Sequence, residues 1–158
     1  MEQKIAEETS LSLIKAELTS DKFLRVTNKA NNHIYIVDAF DSPNIMREIG
    51  RLREISFRAA GGGTGKELDI DEFDTMETPC KQLIVWDPDA EMILGGYRYI
   101  TGDNIAFDEN GKTKTYTVTI IRAAQQSSSN SQGGSDNNTT DNIIQIIKNM
   151  FKDFTIAL

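Results

Sequence analysis

From residue 125 to residue 142 the chain is written almost wholly in Gln, Ser, Asn, Gly, Thr and Asp. A stretch with so little apolar surface gains too little by burial to offset the entropy of ordering it, so it reads as a disordered linker. Any sizeable core must then come from residues 1–124, with the segment 143–158 as a short appendage. In that segment Ile143, Ile144, Ile146, Ile147, Met150, Phe151 and Phe154 crowd together with lysines, which predicts an amphipathic or buried helix. Over all 158 residues, 39% are hydrophobic and 26% charged, which fits one globular domain and leaves too little chain for two.

The same composition excludes several classes of function. A net charge of −7 opposes general nucleic-acid binding, which needs surplus lysine and arginine to neutralise phosphates. No apolar run is long enough to span a bilayer, and the start Met1-Glu2-Gln3-Lys4 lacks the basic-then-apolar layout of a signal peptide, so the expected address is the cytoplasm. Cys80 is the single cysteine and His33 the single histidine, so neither an internal disulfide nor a bound metal is expected. Cys80 reads as an inert small residue, and His33 as a surface or packing residue.

Leu11 to Leu18 carries apolar residues at helical spacing and predicts a short helix. His33 to Phe40, rich in β-branched and aromatic residues, predicts a strand. A long helix follows, with Asp41 or Ser42 as N-cap and Pro43 at its first position. Ile45, Ile49, Leu52, Ile55, Ser56 and Ala59 form its inward face, and Arg47, Glu48, Arg51 and Arg58 the outward one. Gly61-Gly62-Gly63 ends it. After an acidic loop from Glu67 to Glu77, Gln82–Trp86 and Met92–Ile100 predict an antiparallel hairpin turned by Asp87-Pro88-Asp89-Ala90, and Tyr116–Ile121 a further strand.

Gly61-Gly62-Gly63-Thr64-Gly65-Lys66 superficially suggests a phosphate loop. The Walker pattern, however, needs glycine where Ala60 stands and Ser or Thr where Glu67 stands, and its loop must precede a helix rather than follow one. A helix C-cap leading into a mobile loop is the expectation instead.

A sharper pattern surrounds that loop. Arg53 is followed by Phe57 four residues on, then by Asp69-Ile70-Asp71-Glu72-Phe73-Asp74, a strand, and Gly95-Gly96-Tyr97-Arg98 in the next strand. In this order the chain resembles the N-terminal half of the acyl-CoA N-acyltransferase-fold enzymes that include acyl-homoserine-lactone synthases and the hemolysin-like ornithine and glycine lipid N-acyltransferases. The run Arg51-Leu52-Arg53-Glu54-Ile55-Ser56-Phe57-Arg58-Ala59-Ala60 with the glycines after it looks closest to the glycine-lipid enzymes of Bacteroidetes.

The resemblance implies an α/β (α+β) fold of antiparallel strands with helices over one face. It also implies transfer of a fatty acyl group from acyl carrier protein or acyl-CoA to the amine of an amino acid such as glycine or ornithine, with no further cofactor. Arg53, Asp69, Asp71, Asp74 and Arg98 match the family's arginine and acidic positions. Carboxylates can hold the acceptor's amine and guanidinium groups its carboxylate. Ion pairing that simply pins the acidic loop to the sheet is the other reading of the same residues. Phe57 and Trp86 read first as core residues and second as substrate contacts. Arg47, Arg51, Arg58 and Lys66 place positive charge on one helix and its loop, a candidate docking strip for an acidic carrier protein.

The match covers roughly residues 10–113. Past it, the family's second half has no counterpart in residues 115–158, so a truncated or diverged chain is expected. The expected organisation is a partial N-acyltransferase domain over 1–124, the linker 125–142 and the helix 143–158. A second class of function, a non-catalytic module that docks through that helix on a partner or at the inner membrane surface, stays open beside the enzyme.

Overall fold

The computed structural model describes residues 2–101, 104–105, 109–111 and 120–122. Its elements are helix α1 (Leu11–Glu17), strands β1 (Phe23–Val26) and β2 (His33–Val37), helices α2 (Pro43–Ala59) and α3 (Glu72–Thr75), and strands β3 (Lys81–Asp87), β4 (Met92–Tyr99) and β5 (Ile120–Arg122). The strands form one antiparallel sheet in chain order, β1-β2-β3-β4-β5. Strand β1, a short edge strand with Phe23, Leu24 and Val26 exposed, has no counterpart in the sequence-based expectation. The expected linker and C-terminal helix lie outside the described residues, as does most of the expected strand Tyr116–Ile121. No helix among the described residues is long and apolar enough to cross a membrane.

Alternation along the strands sorts the side chains into two faces. Tyr35 and Val37 of β2, Ile84 and Trp86 of β3 and Ile93 of β4 pack with Ile14 of α1 and Ile45, Met46 and Ile49 of α2 in the main core. Ile34, Leu83 and Val85 form a second cluster with Leu94, Tyr97 and Tyr99. Each fully buried aliphatic side chain contributes about 1.5–3 kcal/mol, so Ile45 and Ile49, both at 0% exposure, are the main attachment of α2 to the sheet.

A single bulge sets which face β4 turns toward α2. Val85 pairs with Gly95 but Trp86 pairs with Ile93, so Leu94 is the extra residue. One inserted residue reverses the alternation beyond it. Ile93 and Arg98 would otherwise face opposite ways; with the bulge, Arg98 joins the helix side, opposite Gln82.

The start of α2 differs from expectation, and its glycine stop agrees with it. Neither Asp41 nor Ser42 caps its N-terminus. The Ser42 hydroxyl donates to Asp41 instead, and Glu17 of α1 supplies the cap: its Oε1 accepts from Asn44 N (3.0 Å) and its Oε2 from Ile45 N (2.8 Å). A carboxylate at this position also complements the helix dipole. At the C-terminus Gly62 N donates to Phe57 O (2.8 Å) and Gly61 N to Arg58 O (3.0 Å), with Gly61 at φ 79°. These two bonds make a Schellman motif, which needs the left-handed residue that glycine supplies. The inward face also departs from simple periodicity, because Ala59 is exposed whereas the polar Glu48, Arg53 and Glu54 are buried.

Candidate functional site

The segment after the glycine-rich loop returns along α2, where Asp69 N donates to Gly50 O at 3.0 Å. A Cβ on Gly50 would stand 2.7 Å from Ile70, so only glycine admits this approach. The chain then turns into α3. Asp71 caps it, accepting from Phe73 N (2.9 Å), while Asp74 Oδ2 accepts from Asp71 N (3.1 Å), a reciprocal capping box. These local bonds fix two carboxylates at the end of the sheet where Gln82 and Arg98 stand.

Arg53 meets Asp74 there as a fork, with Nη1 to Oδ2 at 2.7 Å and Nη2 to Oδ1 at 3.3 Å. Gln82 bridges the pair: its Nε2 donates to Asp74 Oδ1 (2.9 Å) and its Oε1 accepts from Arg53 Nη2 (3.0 Å). Arg98 Nη1 lies 2.6 Å from Asp71 Oδ1 and 3.2 Å from Asp74 Oδ1, with its guanidinium over the Phe73 ring. Arg53 Nη1 also donates to the Asp69 carbonyl at 3.3 Å. The structure thus brings Arg53, Asp71, Asp74 and Arg98 into one network, with Asp69 alongside through its backbone.

Arg53 is 1% exposed, Asp74 0% and Arg98 2%. Charges so deep are tolerable only when paired and hydrogen-bonded. Burial by itself pushes the Asp74 carboxyl up, but the bond and charge of Arg53, helped by Arg98, hold it below its usual range. Arg98 is held above its usual range because its bond to Asp71 and the charge of Asp74 outweigh burial. Asp69 goes the other way. Burial raises it, Arg53 offsets this only in part, and Asp71 and Asp74 raise it further. The network opens toward solvent at Asp71, whose side chain is 43% exposed.

A second buried network sits one residue along the helix. The Glu54 carboxylate accepts from Thr64 N (2.9 Å), Thr64 Oγ1 (2.7 Å), Gly65 N (2.9 Å) and both Nε and Nη2 of Arg58. Burial opposes its charge, but these bonds lower it from 4.5 to about 2. The glycine-rich segment therefore does cradle an anion, and the anion is the protein's own Glu54. That corrects the expectation of a mobile loop.

The remaining sequence candidates fall elsewhere. Trp86 lies in the main core and lines, with Ile14, Leu52 and Ile93, a cavity of about 130 Å³ at the other end of β3, so it is not beside Arg53 and Asp74. Phe57 is half-buried on α2. The basic strip is not free: Arg51 pairs with Glu48 (2.6 Å), Arg58 with Glu54 (2.8 Å), and Arg47 donates to Glu7 O and Thr9 Oγ1, while Lys66 is exposed. Burial raises the Cys80 thiol above its usual value, which keeps it un-ionised. No group of His, Cys, Asp and Glu among the described residues is arranged to hold a metal. Sequence reasoning missed Gln82 and Glu54. Gln82 had a signal, a polar residue opening an otherwise apolar strand, and Glu54 had its spacing to Arg58.

Comparison with known proteins agrees with this architecture. The family described as acetyltransferase (GNAT) domain matches residues 52–134. A glycine N(alpha)-acyltransferase of Phocaeicola vulgatus is 64% identical over 112 residues, covering 71% of this chain and 34% of that protein. A glycine N(alpha)-acyltransferase of Bacteroides thetaiotaomicron is 64% identical over 109 residues, covering 69% of this chain and 32% of that protein. The chain spans about a third of the length of these curated relatives. No solved structure gives a significant match. The antiparallel sheet with α1 and α2 on one face is consistent with the acyl-CoA N-acyltransferase fold, and the chain belongs to the GNAT acetyltransferase-domain family.

Proposed function

We propose that this chain contributes the first part of an N-acyltransferase that moves a fatty acyl group from an acyl carrier protein or acyl-CoA thioester to the amine of an amino acid in lipid synthesis. Glycine is the preferred acceptor, because both relatives carry that acceptor in their names; ornithine is the second. The observation that carries the reading is the convergence of Arg53, Asp71, Asp74 and Arg98 on one end of the sheet, with Asp69 beside them and raised above its ordinary value by burial.

In this reading Arg53 and Asp74 are a rigid support, since neither reaches solvent. Asp71 and Asp69, at the open edge, receive the acceptor's ammonium group, and Asp69 takes its proton. The freed amine attacks the thioester carbonyl. The tetrahedral oxyanion collapses with loss of the thiolate, which is protonated as the amide forms. Arg98, as buried as Arg53, belongs to the same support and braces Asp71 at the open edge.

The full burial of Arg53, Asp74 and Arg98 also suits a second reading, a non-catalytic binding module in which the network only pins α3 to the sheet. Thioester consumption with acyl carrier protein and glycine, run beside sedimentation with phospholipid vesicles, separates the two. Acyl-glycine formation that falls about a hundredfold in Asp69→Asn supports the enzyme. Vesicle binding with no acyl-glycine formed rejects it.

A further inference from the structure

Residues 2–9 have no regular secondary structure, yet they are tied down along α2 and the loop behind it. Gln3 N donates to Gly65 O (2.8 Å), Ala6 N to Glu67 O (3.0 Å), and Glu67 N to Gln3 Oε1 (3.2 Å). The helix holds the same segment from below. Arg58 Nη1 donates to Gln3 O (2.9 Å), Arg47 Nη1 to Glu7 O (2.8 Å) and Thr9 Oγ1 (2.9 Å), and Thr9 N donates to Glu48 Oε2 (3.0 Å).

This strap is polar in its attachments and poor in buried apolar surface. Thr9 is its buried residue; Ile5 and Ala6 are half-buried, while Glu2, Gln3, Lys4, Glu7 and Glu8 are exposed. A segment held mainly by solvent-accessible hydrogen bonds opens at a small fraction of the global unfolding free energy. It is also acidic where the helix is basic. Glu2 Oε2 stands 4.0 Å from Arg58 Nη1, and the charges of Arg47 and Arg51 help hold Glu7 below its usual range, after the larger effect of Lys4.

The arginines under the strap are unequally committed. Arg51 is closed on Glu48 through Nε and Nη2. Arg47 gives its Nη1 to a carbonyl and a hydroxyl, and Arg58, although its Nε and one Nη serve Glu54, gives its other Nη to the Gln3 carbonyl. Neutral acceptors are weaker partners for a guanidinium than carboxylates. Arg47 and Arg58 are separated by about 16 Å along the helix axis at 1.5 Å per residue, the length of three turns of a facing helix. Lys66 is exposed beside Arg58, to which its carbonyl is bonded.

We infer that residues 2–9 occupy, within the molecule, a docking surface on α2 for an acidic helix of a partner protein, and that docking exchanges the strap's hydrogen-bond acceptors on Arg47 and Arg58, together with the long Glu2 contact, for the partner's carboxylates. The partner is an acyl carrier protein, an assignment that rests on the acyl-transfer reading above. A surface covered for most of the time binds with an apparent affinity reduced by the fraction that is open, so loosening the strap tightens binding.

The test uses the full chain, acyl carrier protein at low salt, and the double variant Gln3→Pro/Ala6→Pro, which removes the strap's two N–H bonds to the 65–67 loop. Amide exchange at Gln3, Ala6 and Thr9 is expected to accelerate about tenfold when carrier protein saturates the chain, with β3 amides unchanged. The double variant is expected to bind carrier protein about five- to tenfold more tightly, and Arg47→Glu/Arg58→Glu to bind it more weakly. Carrier protein that binds while the strap amides keep their protection overturns the inference, as does unchanged or weaker binding by the proline variant, or no binding by any form. Turnover with free acyl-CoA, which has no carrier to dock, reports separately on the acyl-transfer reading.

Discussion

Arg53 and Glu54 are neighbours on α2, both essentially inaccessible, and each anchors a network of ionised groups; the two networks are built for different ends. Around Glu54 one carboxylate meets one guanidinium, and the rest of its bonds come from backbone N–H groups and a hydroxyl of the Thr64-Gly65 turn. That network is closed and nearly neutral, and its product is a fixed loop. Around Asp74, two guanidinium groups face Asp74 and Asp71, with Asp69 near enough to be raised by both. This second network has an outlet to solvent at Asp71 and contains a carboxyl held in the unfavourable direction. Burial of charge alone therefore does not mark a site. What separates the two is the exposed outer member and the presence of a group that the fold destabilises when ionised.

The comparison breaks most directly at Arg53. Arg53→Met leaves Asp74 buried without its fork, and a loss of about 3–5 kcal/mol in denaturant unfolding is expected. A loss below about 1 kcal/mol would mean that Arg98 and Gln82 suffice, and that Arg53 is not the support described above.

The Glu54 network should cost less to open and should leave a pH signature. Glu54→Gln is expected to lower stability by about 1–3 kcal/mol at neutral pH. Because its carboxyl lies at about 2 in the folded chain against 4.5 ordinarily, its stabilisation is fully present above pH 4.5 and is lost as pH falls toward 2. Unfolding free energies of the parent and the variant should therefore converge over that interval. A difference that stays constant down to pH 2 would show that the charge of Glu54 contributes nothing.

Asp69 should respond least in stability and with opposite sign. A carboxyl raised in the folded chain favours folding below its ordinary value of 3.8 and loses that contribution as pH rises. Asp69→Asn is thus expected to be neutral or stabilising by up to about 0.5 kcal/mol at pH 7, read by thermal unfolding. Marked destabilisation would place Asp69 with the structural carboxylates and remove it as the proton acceptor.

Much of the fold was legible in the residues. The helix from Pro43, its glycine stop, the strand from His33 and the hairpin around Asp87 follow from periodicity and turn chemistry, which act over a few neighbouring residues; that strand ends at Val37 rather than Phe40, because Asp38 accepts from Phe40 N and Asp41 N and turns the chain. Residues that meet only in space were harder. Glu17 caps a helix that begins 26 residues later, Gln82 binds an arginine and an aspartate from two other elements, and the 61–65 loop closes on Glu54 rather than on a ligand. No local pattern encodes a cap supplied from another helix.

By itself the sequence determined the type of the longer elements, the pairing of the hairpin and the set of charged residues available to a site, because each depends on local spacing, whereas the short β1 and α3 had no such signal. Tertiary structure alone decided which charges are free. The bulge at Leu94 turns Arg98 toward the helices, and the N-terminal strap covers Arg47 and Arg58 that a helical projection leaves in solvent. Exposure and pairing are set by what packs against a side chain, and that partner lies elsewhere in the chain.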